Sequence, residues 1–312
     1  MSKPLVSIIC LCHNQERFVE ETLESALGQS YTNMEVLVVD DGSTDGSKQH
    51  ITTILQKHPD VPFIDLKENI GNTRAFNKGL ALAKGKYVID LACDDVMVQD
   101  RVTNQVAFFE TCAKDVGVIY SDALTISESG EILSRHFENS KRTPYEGDVY
   151  KRVVETYFIP PPTMMMKKEV LDELGGYDGE LAYEDFDFWV RSARTWKYAY
   201  QNEVLTHIRL VKGSHSDQLY HKGDKKLDST IRICEKVFDL NSSAEEEEAL
   251  AKRLKYEFRH AMITGNKESA NQLMKMLNRI ERPSIWHQCL WILNQLGLDL
   301  GSLRALWVTR SS

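Results

Sequence analysis

From Leu5 to Leu210 the apolar residues come in short branched runs that stop at polar clusters, and after Asp228 they recur every three or four positions. The first pattern predicts strands alternating with helices; the second predicts helices alone. Leu5–Leu11 (LVSIICL) reads as a strand ended by His13 and Asn14, and Phe18, Val19, Leu23, Ala26 and Leu27 fall at helical spacing within Glu16–Gln29. Met34–Val39 (MEVLVV) is a second strand, closed by the turn Asp40–Gly46. Strand, helix and strand in this order form a βαβ unit, with parallel pairing and a right-handed crossover. Asp45 or Thr44 is placed to cap a helix over Ser47–Lys57, and Phe63–Leu66 is the next strand. Asn69–Gly79 then leads into a helix that Asn72 or Thr73 can cap, with Arg74 in its first turn and Gly85 after its end. Tyr87–Cys93 is a strand that delivers Asp94 and Asp95 to its C-terminal end, where open α/β sheets bind ligands.

Beyond that pair, Arg101–Ala113 is predicted helical, Val116–Tyr120 a strand and Ile126–Ile132 a hairpin turning at Gly130. His136–Gly147 is polar, basic and aperiodic, which suggests a mobile loop over a site. Ile159–Thr163, with its three prolines, reads as rigid and extended before the strand-like Met164–Met166. Lys168–Leu174 is a helix closed by Gly175 and Gly176, and Phe186, Trp189 and Val190 mark the buried face of another. A strand-like Val204–Leu210 and a polar loop around Ser214 follow. Helices are then expected over Ser229–Leu240, Ser243–Thr264 with a capping box from Ser243 and Glu246, Asn266–Ile280 and Ser284–Leu296, with a short piece to Val308. The expectation is an α/β fold: a mostly parallel, Rossmann-like sheet flanked by helices over residues 1–220, and a C-terminal helical region over 221–312.

Composition narrows the class. A formal charge of -8 over 312 residues gives no general attraction to nucleic acid. The six cysteines show neither a CxxC pair nor metal-ligand spacing, as expected of reduced core thiols in a cytoplasmic protein. The first apolar run is too short for a signal peptide or a membrane span. Trp286, Trp291 and Trp307, near His287, Arg304 and Arg310, fit either an interfacial helix or the packing of a small helical appendage. That leaves open peripheral contact at the inner face of the membrane, and a homo-oligomer built through these helices.

Two acidic clusters carry the candidate chemistry. Asp94 and Asp95 repel each other and favour a compensating cation, and a divalent metal holding a diphosphate would supply it; an adjacent Asp pair also suits a plain solvated turn. Glu184, Asp185 and Asp187 crowd the start of a helix, where capping and the dipole account well for one carboxylate and poorly for three.

Taken in order, VSIICLCHN, VVDDGSTDGS, NIGNTRAFNKG, LACDDV, GGYD and YEDFDFWVR resemble the motifs of family 2 inverting nucleotide-sugar glycosyltransferases over roughly Leu5–Ser216. The resemblance implies a GT-A fold and transfer of a sugar from a nucleotide-diphosphate donor, UDP-linked by preference, to a hydroxyl of a glycan, lipid-linked or cell-envelope acceptor. It places Leu11, His13, Asn14 and Asp41 around the base, Arg74 near the base or diphosphate, Asp94 at the ribose and Asp95 on a Mn²⁺ or Mg²⁺ ion. It makes Asp185, with Glu184 as second choice, the general base. His207 and His215 fall where some relatives place a late metal ligand, although histidines in loops are usually just solvated. Leu11 and His13 stand where the family has Pro and Tyr, and Ala92 stands where the acidic motif commonly begins with Asp. The absence of a QxxRW-like motif argues against a processive synthase. Two other classes compete: a non-catalytic nucleotide-sugar or glycan-binding module of the same fold, and a nucleotidyltransferase, disfavoured because the loop after Ile9 lacks glycine. The glycosyltransferase reading requires Asp95 and Asp185 to share one cleft.

Overall fold

A computed structural model describes residues 3–138, 143–212 and 221–295 of the chain. Its first strands and helices alternate as β1 Val6–Cys12, α1 Val19–Leu27, β2 Met34–Asp40, α2 Ser47–Leu55, β3 Phe63–Asp65, α3 Asn72–Leu80 and β4 Tyr87–Ala92. Next come β5 Val96–Met97, α4 Arg101–Phe109, β6 Val116–Ile126, β7 Ile132–Arg135, α5 Tyr150–Glu155, β8 Met165–Lys167, α6 Lys168–Leu174, α7 Asp185–Ser192 and β9 Lys197–Arg209. The rest is helical: α8 Lys225–Leu240, α9 Ala244–Ile263, α10 Lys267–Ile280 and α11 Ile285–Gln295.

β1 is buried on both faces because parallel neighbours flank it and helices cover it, which is why its sequence is a continuous apolar run. Ile8 pairs in register with Val36 of β2 on one side and Ile89 of β4 on the other. α1 turns Val19, Thr22, Leu23 and Ala26 inward, and its apolar residues join Val6, Ile8, Val38, Ile89 and Leu91 in the core. The thiols of Cys10, Cys12 and Cys93 are buried there too, and burial raises the pKa of Cys10, keeping it protonated.

Among the described residues the sheet runs β3-β2-β1-β4-β8-β6-β9-β5, with β7 beside β6. Its parallel part is where βαβ units were expected, β3-β2-β1-β4, together with β6 and β9. β8 runs antiparallel to both β4 and β6, and β5 and β7 are antiparallel additions, so the sheet is mixed. Antiparallel pairs need no crossover helix, which lets a three-residue strand carrying buried Met165 and Met166 slot between β4 and β6. β9 begins at Lys197, ahead of the apolar run at Val204, because its first half buries Tyr198 and Gln201 through side chains with no obvious strand signal.

Local chemistry also departs from expectation. The proline run does not stay extended: Pro161–Thr163 closes a 3₁₀ turn, with the Thr163 hydroxyl donating to the Pro160 carbonyl at 2.7 Å. Proline's fixed φ suits either conformation, and the threonine hydroxyl decides between them. Neither Asn72 nor Thr73 caps α3; its N-cap is Gly71 at φ 91°. The ends of the loop 136–147 are pinned, since the His136 amide donates to Ala123 and Gly147 bridges to Tyr198, while residues 139–142 lie outside the described chain.

The chain divides into two compact units. The first comprises Met1–Val149, Phe158–Glu180 and Asp187–Asp217 and holds the sheet. The second gathers the C-terminal helices with two short segments from earlier in the chain, Tyr150–Tyr157 and Leu181–Phe186. Within it, Asp224 caps α8 and Ser243 caps α9, while Glu246 reaches back to the Ser242 amide, one residue earlier than a capping box requires. α11 exposes Ile285, Trp286, Trp291 and Ile292. Among the described residues no helix is long and apolar enough to cross a membrane. Trp307, Arg304, Arg310 and the short piece to Val308 lie outside the described residues.

Candidate functional site

The strand order reverses at β1, so the C-terminal ends of β2, β1 and β4 lie side by side at the kind of switch point where α/β sheets bind ligands. Leu11 is half-buried and in register with Val39 and Ala92. Beyond it the chain turns through Asn14, whose φ of 54° is a left-handed conformation that asparagine tolerates better than most residues. The His13 ring meets the Asp41 carbonyl at 2.8 Å through Nδ1 and the Asn14 amide at 3.1 Å through Nε2, an arrangement that fits a proton on Nδ1. Asn14 Oδ1 in turn accepts the Thr44 amide at 2.8 Å, so the acidic turn after β2 and the end of β1 form one hydrogen-bonded unit.

Asp41 is 2% exposed, and its two oxygens accept the amides of Ile70 and Gly71 at 2.8 and 3.0 Å. The carboxylate therefore ties the loop that leads into α3 to the end of β2. Neighbouring Gly42, at φ 66°, lies so close to the backbone of Glu68 and Asn69 that a Cβ there would sit 2.4 Å from the Glu68 carbonyl carbon. The motif glycine thus lets the two loops touch.

At the end of β4, Asp95 is 3% exposed and accepts the Arg209 amide at 2.9 Å. Burial raises the pKa of Asp95 well above the usual carboxylate range, and the adjacent Asp94 charge adds to it. Asp94, half-buried, is also raised by burial, partly offset by a hydrogen bond from Gln15. Arg101 and Arg209 offset the shift of Asp95 only in part, and the two carboxylates supply hard oxygen donors of the kind a divalent ion takes. Among the described residues no cluster of three or more His, Cys, Asp or Glu side chains is formed that would enclose a metal by itself. His207 pairs with Val96, two residues from Asp94, and burial lowers its pKa, favouring the neutral ring; His215 lies outside the described residues.

Arg209 was not anticipated from the sequence, since one arginine at the end of a strand carries no motif. It is 4% exposed, donates Nε to the Asp94 carbonyl at 3.0 Å and Nη1 to the Ser127 and Glu128 carbonyls at 3.2 and 3.3 Å, and pairs through Nη2 with Glu21 at 2.5 Å. Its guanidinium carbon stands 4.9 Å from the Phe18 ring centroid. One side chain thus ties α1, the β4–β5 turn and the β6–β7 hairpin together. Replacing Arg209 with Met should cost about 2–4 kcal/mol in urea unfolding, because three partly buried carbonyls lose their donor at once and the packing on Phe18 is lost. The Glu21 pair contributes little of this, as Glu21 is exposed.

Arg74, in the first turn of α3, donates Nε to the Gly179 carbonyl at 2.7 Å and pairs with Glu180 at 2.5 Å. Asn77, one helical turn on, exchanges two hydrogen bonds with the Tyr177 backbone at 2.7 and 2.9 Å, and Phe76 stacks on Tyr177 at 4.2 Å. Two motifs a hundred residues apart are joined by these contacts. The acidic helix α7 divides its carboxylates by task. Asp187 is buried and paired with Arg191 at 2.7 Å, whose other nitrogens donate to the Leu174 and Gly176 carbonyls, so Asp187 is structural. Glu184 and Asp185 are half-buried at the start of the same helix.

The profile described as Glycosyl transferase family 2 matches residues 7–175, more than half of the chain. The chain belongs to glycosyl transferase family 2. Its fold is GT-A and its chemistry is glycosyl transfer. It is 28% identical over 213 residues to an uncharacterized glycosyltransferase of Methanocaldococcus jannaschii, covering 67% of this chain and 72% of that one. It is also 28% identical over 226 residues to the putative teichuronic acid biosynthesis glycosyltransferase TuaG of Bacillus subtilis, covering 72% and 86%. Among solved structures, S. aureus TarS 1–349 in complex with UDP-GlcNAc superposes with a TM-score of 0.65 at 19% identity, over 93% of this chain and 79% of that one. The mannosyltransferase PcManGT from Pyrobaculum calidifontis, in complex with GDP-Man and Mn²⁺, gives 0.61 at 19%, over 98% and 82%.

Proposed function

We propose that this family 2 glycosyltransferase is a non-processive, inverting enzyme that moves a sugar from a nucleotide-diphosphate donor, UDP-linked by preference, to a hydroxyl of a glycan, lipid-linked or cell-envelope acceptor. The observation that carries the reading is the adjacent pair Asp94–Asp95, one half-buried and one buried, at the end of β4, beside the ends of β1 and β2. TarS with UDP-GlcNAc and PcManGT with GDP-Man and Mn²⁺ support a nucleotide-sugar and a divalent ion, and TuaG supports a cell-envelope acceptor.

In this reading Leu11, His13 and Asn14 receive the base, with the Asp41 loop framing the same edge, and Asp94 faces the ribose. Asp95, held by the Arg209 amide, would hold Mn²⁺ or Mg²⁺, with His215, which lies outside the described residues, as a further ligand. The bound ion supplies neutralisation of charge on the departing diphosphate. Asp185 takes the proton from the acceptor hydroxyl as its oxygen attacks the anomeric carbon, since an alcohol is too weak a nucleophile at neutral pH unaided. A single displacement on the face opposite the leaving group inverts the configuration. Arg74, in the first turn of α3, would lie near the base or diphosphate, where an anion is favoured. The protein works in the cytoplasm, with the acceptor side open to contact at the membrane face.

The reading is tested by thermal melts with UDP-N-acetylglucosamine and GDP-mannose, each with and without Mn²⁺, followed by detection of released nucleotide. A donor that binds at 100 times its Kd should add about 2.7 kcal/mol to stability, dependent on Mn²⁺. Stabilisation with no sugar loss would leave a donor-binding module in place of an enzyme.

A further inference from the structure

The segment Leu181–Phe186 carries Glu184 and Asp185, and the helical unit grips it on both sides of that pair. Before the pair, the Ala182 amide donates to the Ser229 hydroxyl of α8 at 2.8 Å, and the Tyr183 hydroxyl lies 2.7 Å from that of Thr230 and 3.3 Å from that of Tyr157. After the pair, Phe186 is fully buried against Arg253 of α9, whose guanidinium carbon stands 4.9 Å from the Phe186 centroid and 4.1 Å from that of Tyr157. The two rings meet edge to face at 5.3 Å.

Arg253 is 2% exposed. It donates Nε to the Val154 carbonyl at 3.0 Å and pairs with buried Glu257 at 3.3 Å, yet Nη2 has no hydrogen-bond partner among the described residues. Stability alone does not favour this arrangement, because a buried ion pair with an unfilled donor is often no better than a well-packed apolar pair. What the guanidinium adds is contact over both rings, which meet edge to face, and so a fixed place for the one that is adjacent in sequence to Asp185.

We propose that Arg253 is a positioning residue for Asp185: its stack with Tyr157 and Phe186, together with the Ser229 and Thr230 contacts, fixes the main chain around the base and so presents the carboxylate in one orientation. This assigns the C-terminal helices a part in turnover. It rests on the reading of Asp185 as the base, and the test separates the two.

The full chain is compared with Ser229→Ala/Thr230→Val and with Arg253→Lys, which keeps the charge for Glu257 and loses the flat stack. Three quantities are measured: hydrogen exchange of peptides covering 181–186, UDP affinity with Mn²⁺, and UDP release from UDP-N-acetylglucosamine. Both variants should raise exchange in 181–186 about tenfold, with β1–β4 and UDP affinity within about twofold of wild type, and lower kcat by about tenfold or more at unchanged KM, as for a misplaced base. Unchanged exchange in 181–186 overturns the proposal whatever the donor, and so does a loss confined to KM or UDP affinity. Asp185→Asn runs alongside: if it is inert while both variants turn over at the wild-type rate, the positioning role alone fails. If Asp185→Asn itself turns over normally, the base assignment fails, and with it the role of the clamp in turnover.

Discussion

Asp185→Asn should bind UDP in the presence of Mn²⁺ as tightly as the wild type while transferring sugar about 10²–10⁴ times more slowly. The substitution keeps the shape of the side chain and its ability to accept hydrogen bonds, and removes the capacity to hold a proton. Only the step in which the acceptor oxygen gives up its hydrogen is affected, so kcat should fall with little change in the KM for donor. Glu184→Gln, one residue away on the same half-buried turn, should cost far less. Asp187→Asn separates structure from chemistry: it breaks the pair with Arg191 and should lower the melting temperature. Titration calorimetry with UDP and initial rates of UDP release check all three, and a wild-type rate for Asp185→Asn ends the base assignment.

Asp95→Asn carries the second large effect, and its two parts have opposite signs. The amide keeps an oxygen for the Arg209 N–H, so the turn should stay closed. In the metal-free protein the substitution removes a buried negative charge whose protonated form the fold prefers. A carboxyl with a raised folded pKa contributes stability at low pH, present in full below its unfolded value, that is lost as pH rises through the folded value. At pH 7.5, well above the unfolded value, the metal-free Asp95→Asn chain should therefore melt higher than the metal-free wild type, and below pH 4 the difference should close. With Mn²⁺ and a UDP-sugar the order should reverse, because the wild type gains ligand stabilisation that the variant lacks; about 3 kcal/mol is expected at saturating donor. Melting curves at both pH values, with Mn²⁺ or with EDTA, measure each part. Equal Mn²⁺-dependent shifts in the two proteins would remove Asp95 from the donor site.

The parallel part of the sheet was legible because buried parallel strands are mostly apolar and end abruptly. LVSIICL, MEVLVV and YVIDLA each hold a single polar residue, Ser7, Glu35 or Asp90, and β1, β2 and β4 follow them closely. α6 and the C-terminal helices were equally readable, from glycine stops, caps and apolar spacing. Of the antiparallel additions, the strand-like Met164–Met166 and the hairpin at Gly130 were read, and β5 was not, because two residues are too few for any period to register. The cap of α3 was misassigned: the nearest polar side chains in sequence were Asn72 and Thr73, whereas the N-cap is Gly71 and the carboxylate that receives the loop amides is Asp41, brought there by β2.

By itself, the sequence determined which acidic pairs close strands, because two adjacent carboxylates are costly to bury in an apolar strand and mark its boundary. It also determined the order of the βαβ elements, hence that Asp41 and the Asp94–Asp95 pair follow the ends of β2 and β4, the two strands that flank β1. Only the tertiary structure decided how those carboxylates divide their work: Asp41 bonded to two amides, Asp187 held by Arg191, Asp95 left buried beside Asp94, and Glu184 and Asp185 bracketed by residues from α8 and α9. The physical reason is that a carboxylate's role depends on its burial and on the donors around it. Arg191 and Arg253 each have one carboxylate partner a single helical turn away, Asp187 and Glu257. Their other hydrogen bonds and stacking contacts, and those of Arg209 in full, reach groups too far along the chain to leave a local pattern.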